Sequence, residues 1–271
     1  MSQQRGSTIR VRVDPTNPGQ FFACCGLLEL ADRLWRGAEG WFEDGGFRIE
    51  PDGDGFALLG TLVAEPPTEI SSLGRIAVKP LLAPLHLTLQ DSPAGLTLDA
   101  WVSIRAVKGS VAAIANPPWN FWSGQQTSFR IWVALSNALR DQLPLISQQG
   151  LENLFAWRIP LPGRFGFDPG AAWNAIDVGF SPNEQRMAVS SSPAVELLAA
   201  VGLQRFRPTI SADRTRFVYG TWSQPLAPCA ATVPASGIAS CFQSTRFLGR
   251  VVSRGSYAAL GFSTPLERNT P

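Results

Sequence analysis

Between Thr8 and Arg36 the hydrophobic period changes once, and that change limits the folds open to the chain. Ile9, Val11 and Val13 alternate with Arg10 and Arg12, the pattern of a half-buried strand with both arginines on its exposed face. Asn17-Pro18-Gly19 ends the alternation. Asparagine caps a helix through its side-chain oxygen, and proline suits the first helical turn. From Gln20 to Arg36, Phe21, Cys24, Cys25, Leu28, Ala31 and Trp35 fall at helical spacings, and Gly37 predicts the stop. A strand feeding straight into an apolar helix excludes all-β and all-α architectures for this part of the chain.

Strand signals follow. Phe47–Glu50 and Phe56–Leu59 flank Pro51-Asp52-Gly53-Asp54-Gly55, which reads as a hairpin turn because glycine accepts positive φ. A calcium loop is the competing reading of these aspartates. It fails because Phe56 takes a ligand position and the closing glutamate is missing. Leu85–Gln90 and Leu96–Val102 predict two more strands joined at Ser92-Pro93-Ala94-Gly95. Asn116–Gln126 reads as an aromatic loop, and Thr127–Leu143 has helical periodicity. Ser192 is a candidate cap for a helix from Pro193 to about Gly202, with Glu196 where a capping box or the helix dipole uses an acid. Strands are expected near Phe206–Ile210, Arg216–Thr221 and Tyr257–Phe262. The fold class is α+β: strand, helix and strands in the N-terminal half, then mixed helices and strands. One compact chain over 1–271 is expected, with two subdomains divided near 116–126 as the alternative. No sequence repeat and no clear linker is evident.

Charge is unevenly spread. Residues 1–70 carry 6 basic and 11 acidic groups, residues 71–185 carry 8 and 7, and residues 186–271 carry 9 and 3. A basic C-terminal part suits a polyanionic partner. All the bases but Lys79 and Lys108 are arginine, which suits bidentate phosphate contacts, although a GC-rich genome gives the same bias. The charge-free stretches Gly109–Phe129 and Phe217–Thr245 are broken by prolines and polar residues, so neither reads as a membrane span. Met1–Val13 has no signal-peptide core. Cys24 and Cys25 lie in the apolar helix, far from Cys229 and Cys241, and this is no disulfide framework. A cytoplasmic protein with no membrane partner is expected.

Catalytic signatures are missing. His86 is the only histidine, on the face of its strand opposite Leu85, Leu87 and Leu89. Zinc-type cysteine pairs, a nucleophile elbow, a phosphate-binding P-loop and a dinucleotide fingerprint are all absent from the sequence. A hydrolase reading would need a carboxylate pair such as Asp168 and Asp177, which nothing in the sequence distinguishes from capping and turn residues. The expectation is a protein that binds rather than catalyses and needs no cofactor or metal.

Binding signals are better. Arg205-Phe206-Arg207 and Arg214-Thr215-Arg216-Phe217 interleave arginine with aromatics, and Arg246, Arg250 and Arg254 recur every four residues. With Arg10, Arg12 and Lys108 they form the candidate phosphate-binding set, and the phenylalanines are available for base stacking. Gln125 and Gln126 are candidates for reading base edges. Trp119 and Trp122 read either as a buried plug or as an interface with another protein.

Val13-Asp14-Pro15-Thr16-Asn17-Pro18-Gly19-Gln20-Phe21-Phe22-Ala23-Cys24-Cys25-Gly26-Leu27-Leu28-Glu29-Leu30-Ala31 resembles the N-terminal signature of CRISPR-associated proteins from type I-U (I-G) loci. So do Gly163–Asp168, Asp177–Ser181 and the block from Pro193 to Pro208. The resemblance implies a non-enzymatic subunit of a Cascade-like surveillance complex. Its partners would be the guide RNA, the target DNA or its PAM, and other subunits, while base pairing reads the sequence. A purely architectural subunit of the same complex is the alternative.

Overall fold

The structure, a computed structural model, describes residues 8–51, 53–89, 92–122, 126–161, 163–171, 189–238, 241–254 and 257–267. β1 (Ile9–Arg12) pairs antiparallel with β3 (Gly46–Glu50), and β3 pairs with β2 (Glu39–Glu43), giving the sheet order β1-β3-β2. The alternation of β1 is its burial pattern, with Ile9 and Val11 inside and both arginines outside. α1 spans Pro18–Trp35. Asn17 Oδ1 accepts the Gln20 N–H at 3.1 Å, and Gly37 follows the helix at φ 86°. Every residue from Phe21 to Ala31 is buried, so α1 is enclosed on all sides.

Residues 56–59 depart from the expected hairpin. The partner of β3 is β2, upstream of it, and Asp54 instead caps α2 (Gly55–Ala64) by accepting the Phe56 N–H at 3.2 Å. Four apolar residues are too few to separate strand from helix by period. Burial of Leu58, Leu59, Leu62 and Val63 on one side of α2 decides it.

β4 (Thr68–Glu69) pairs with β7 (Leu85–Leu89), which pairs with β8 (Ser92–Leu98). The short β5 (Ser72–Leu73) and β6 (Ile76–Ala77) pair with each other. The leucines of β7 are buried, and His86 lies outside them, 3.4 Å from Thr97 Oγ1. β9 (Val102–Val107) and β10 (Ser110–Ala115) form a two-stranded ribbon. α3 (Ser128–Gln149), capped by Thr127, runs past its expected end at Leu143 and through Pro144, with Ile146 buried in the turn beyond. β11 (Ile159–Leu161) pairs with β12 (Val189–Ser191), which leads into α4 (Pro193–Arg205).

The C-terminal sheet has the order β13 (Thr209–Ile210), β14 (Arg216–Trp222), β15 (Gln243–Arg254), β16 (Tyr257–Leu260), and β17 (Thr264–Leu266) also pairs with β15. α5 (Pro228–Ala235) packs against β14. The class is α+β, as expected. The buried side chains form one continuous cluster from Ile9 to Leu260.

At its centre α1 meets α4, and the contact is reciprocal. A Cβ on Gly26 would overlap the Leu198 carbonyl, and one on Gly202 would overlap the Phe22 carbonyl. Setting Gly26 on Gly202 therefore sets Phe22 on Leu198. The runs Gln20-Phe21-Phe22-Ala23-Cys24-Cys25-Gly26-Leu27 and Glu196-Leu197-Leu198-Ala199-Ala200-Val201-Gly202-Leu203 then match position by position in character. Both helices follow a strand and begin with a polar cap and a proline. The two helices thus share a local pattern at their contact, while the chain still shows no sequence repeat. Only three of the eight aligned positions share a residue, Ala, Gly and Leu, which is too faint a signal without the contact.

Candidate nucleic-acid interface

The C-terminal sheet has one face in the core and one turned outward. Phe217, Tyr219 and Phe247 point inward, against Phe21, Phe22 and Trp119. Side chains alternate along a strand, so Arg216 and Val218 of β14 share the outer face with Arg246, Leu248, Arg250 and Val252 of β15. Register places Arg216 directly opposite Arg250, and Arg246 opposite Gly220. All three arginines are exposed. Among the described residues no carboxylate comes within ion-pair distance of any of them. Like charges directly opposite each other on a sheet repel and destabilise it. Arg254 continues the same strand, and its side chain lies outside the described residues.

The remaining candidates divide. Arg10 and Arg12 are on the outer face of β1 as expected, but both reach Glu152, at 3.2 and 3.1 Å, and Arg10 also lies 3.6 Å from Glu43. Arg205 is held 2.6 Å from Glu29, which is 1% exposed and also binds Arg33. These three are therefore corrected from free phosphate ligands to ion-pair partners. Arg207 is exposed and 3.8 Å from Asp99. Arg214 sits at φ 58° in the turn before β14, and Lys108 at φ 48° in the exposed tip of the β9–β10 ribbon. Gln126 is half-buried against Gly163, and Gln125 lies outside the described residues. Trp119 and Trp122 are 4% and 8% exposed. Trp119 packs on Phe22 and Phe217, and Trp122 packs on Trp101 and Phe165 while its indole N–H donates to the Leu81 carbonyl. Their placement as interface residues is corrected to a core plug, because both side chains are packed among the aromatics of the one core cluster.

Sequence reasoning missed Phe262. It is 54% exposed, and the preceding Gly261 donates its N–H to the Arg250 carbonyl at 2.9 Å. An exposed phenylalanine therefore lies beside the arginine pair. Its signal was hidden because it ends an apolar run that reads as core.

Of the two carboxylates of the hydrolase reading, Asp168 is otherwise engaged. Asp168 is buried, accepts from Asn17 Nδ2 at 2.9 Å and the Gly170 N–H at 3.0 Å, and pairs with Arg158 at 3.2 Å. Asp177 lies outside the described residues. Glu196 does not close a capping box. Its carboxylate accepts the N–H groups of Gly166, Phe167 and Asp168 at 3.0–3.3 Å, tying α4 to that loop. Burial pushes its pKa above the ordinary range, and the charge of Arg164 opposes the shift. A shallow cleft of about 400 Å³ is lined by Arg12, Asp14, Gln20, Asn153 and Arg158, but its two arginines are the ones paired with Glu152 and Asp168. Among the described residues no group of three or more His, Cys, Asp or Glu is placed to hold a metal ion, and no helix is long and apolar enough to cross a membrane. Comparison with family models, with curated proteins and with solved structures finds no match.

Proposed function

We propose that this chain is a nucleic-acid-binding subunit of a type I, RNA-guided CRISPR surveillance complex in the cytoplasm, which contacts guide RNA or target DNA through the outer face of the β14–β15 sheet. The observation that carries this reading is a set of exposed arginines with, among the described residues, no carboxylate within ion-pair distance. Arg216 and Arg250 repel each other across the strands, and Arg246 stands on the same face four residues along β15, about 14 Å away at strand rise. A row of phosphates relieves that repulsion. The role is binding and not catalysis, consistent with the engagement of Asp168 by Asn17, Arg158 and Gly170.

The test is the salt dependence of binding to a labelled oligonucleotide. Each phosphate neutralised on a single strand contributes about −0.7 to the slope of log K against log salt, so replacing all three arginines by glutamate should flatten the slope by about 2. An unchanged slope and affinity in that triple variant would sink the reading.

The architectural alternative has its own observation. Ile104 and Val111 are 47% and 59% exposed on one face of the β9–β10 ribbon, together with Ala106. If that face carries the chain's role, changing Ile104 and Val111 to aspartate abolishes co-purification with the other subunits while the triple arginine variant co-purifies normally.

A further inference from the structure

The outer sheet face presents cations and one aromatic side by side, and the two do different work on a nucleic acid. Arginines neutralise phosphates on any strand, paired or not. An aromatic ring stacks only on a base whose face is open, which a duplex does not offer. Phe262 is 54% exposed although phenylalanine favours burial, and the chain around it is well anchored. Gly261 N–H bonds the Arg250 carbonyl, Ser263 N–H bonds the Thr16 carbonyl at 2.7 Å, and β17 begins at Thr264. The backbone on either side of Phe262 is thus held beside β15 next to Arg250, and its side chain is exposed there. Leu248 and Val252 lie on the arginine face on either side of Arg250 and offer a dry, uncharged floor between the phosphate contacts.

Resting on the reading of this face as a nucleic-acid interface, we propose that Phe262 is a base-stacking platform and that the strand bound by Arg216, Arg246 and Arg250 is single-stranded. The juxtaposition gives a polarity-free, sequence-tolerant contact: the phosphates lie along the arginines, and one base turns outward from the strand onto the ring. A base-paired region fits the arginines alone and gains nothing from the phenylalanine.

Fluorescence anisotropy of the full-length chain tests this with four probes of equal length: oligo-uridine, oligo-thymidine, a strand of the same backbone with abasic sites, and a duplex. Phe262→Ala should weaken binding of both base-bearing single strands about tenfold, and Phe262→Trp should keep or tighten it. Neither variant should change affinity for the abasic strand or the duplex. The inference is overturned if Phe262→Ala binds all four probes as the wild type does while the triple arginine-to-glutamate variant binds none. In that case the sheet face stands as a phosphate site without a stacking ring. If the wild type binds no probe at low salt, the reading of the face itself falls, and this inference falls with it.

Discussion

Arg216 stands three residues from Asp213, and the two do not pair. The Asp213 carboxylate is occupied within its own turn, where it accepts the Ser211 hydroxyl at 2.5 Å and the Thr215 N–H at 3.1 Å. The Ser211 bond, followed by the Thr215 bonds and the nearby Arg216 charge, lowers its pKa to about 2. A depressed carboxyl contributes stability that is full above its ordinary value of 3.8 and is lost as pH falls through about 2. The turn that aims Arg216 outward should therefore stay formed throughout the mildly acidic range. Carbon-13 NMR titration of the Asp213 carboxyl should find its midpoint near 2, and Ser211→Ala should move it up toward 3.8. An unshifted midpoint in that variant means that the hydroxyl is not what holds the charge. The same logic explains which arginines sequence alone could not sort. The charge of Arg12 or Arg205 is visible in the chain, but the acids that neutralise them, Glu152 and Glu29, lie far away along it. Arg246 and Arg250 differ from them in that, among the described residues, no such acid is brought near by the fold.

The α1–α4 pair depends on two glycines because each backbone lies on the other's carbonyl. Gly26→Ala places a methyl carbon on the Leu198 carbonyl, and Gly202→Ala places one on the Phe22 carbonyl. Neither neighbour is a flexible side-chain tip, so the helices must separate. Each substitution should cost about 3 kcal/mol, the upper part of the range for overpacking a well-filled core. Because one separation accommodates both methyls, the double variant should cost clearly less than the sum of the singles, which urea denaturation of the four proteins measures directly. Full additivity would mean that the two contacts are independent and the reciprocity is accidental. β1 and α1 were legible because their period, cap and stop agree over many residues. α2 was not, since four apolar residues fit either period. β15 escaped for a different reason. Its outer face alternates arginine with Leu248 and Val252, so polarity does not alternate along the strand. Arginines spaced by four fall on one face of a helix and on one face of a strand alike. Only pairing with β14 decides between them.

Charge is segregated along the chain, with 11 acids among residues 1–70 and 9 bases against 3 acids in residues 186–271. The fold spends part of the acidic excess internally: Glu29 holds Arg33 and Arg205, and Glu43 holds Arg10 and Arg48. What remains on the C-terminal sheet is a concentrated positive face on a strand pair whose buried side is packed with Phe217, Tyr219 and Phe247. Repulsion on the outside and aromatic packing on the inside therefore act on the same two strands. A polyanion that binds the outer face removes the repulsion and stabilises the whole cooperative unit through linkage. With ligand at about 100 times its dissociation constant, the gain is about 2.7 kcal/mol, which in a protein of this size raises Tm by about 5–10 °C. Polyuridylate at low salt should produce that rise. The rise should shrink as salt is added, because the counterions it releases are then less dilute. In the absence of polyanion, Arg250→Ala alone should leave Tm unchanged or slightly raised, since it removes one of the two facing charges. A clear loss of stability in Arg250→Ala without ligand would show that this arginine holds the sheet together, and that its place on the outer face belongs to folding and not to binding.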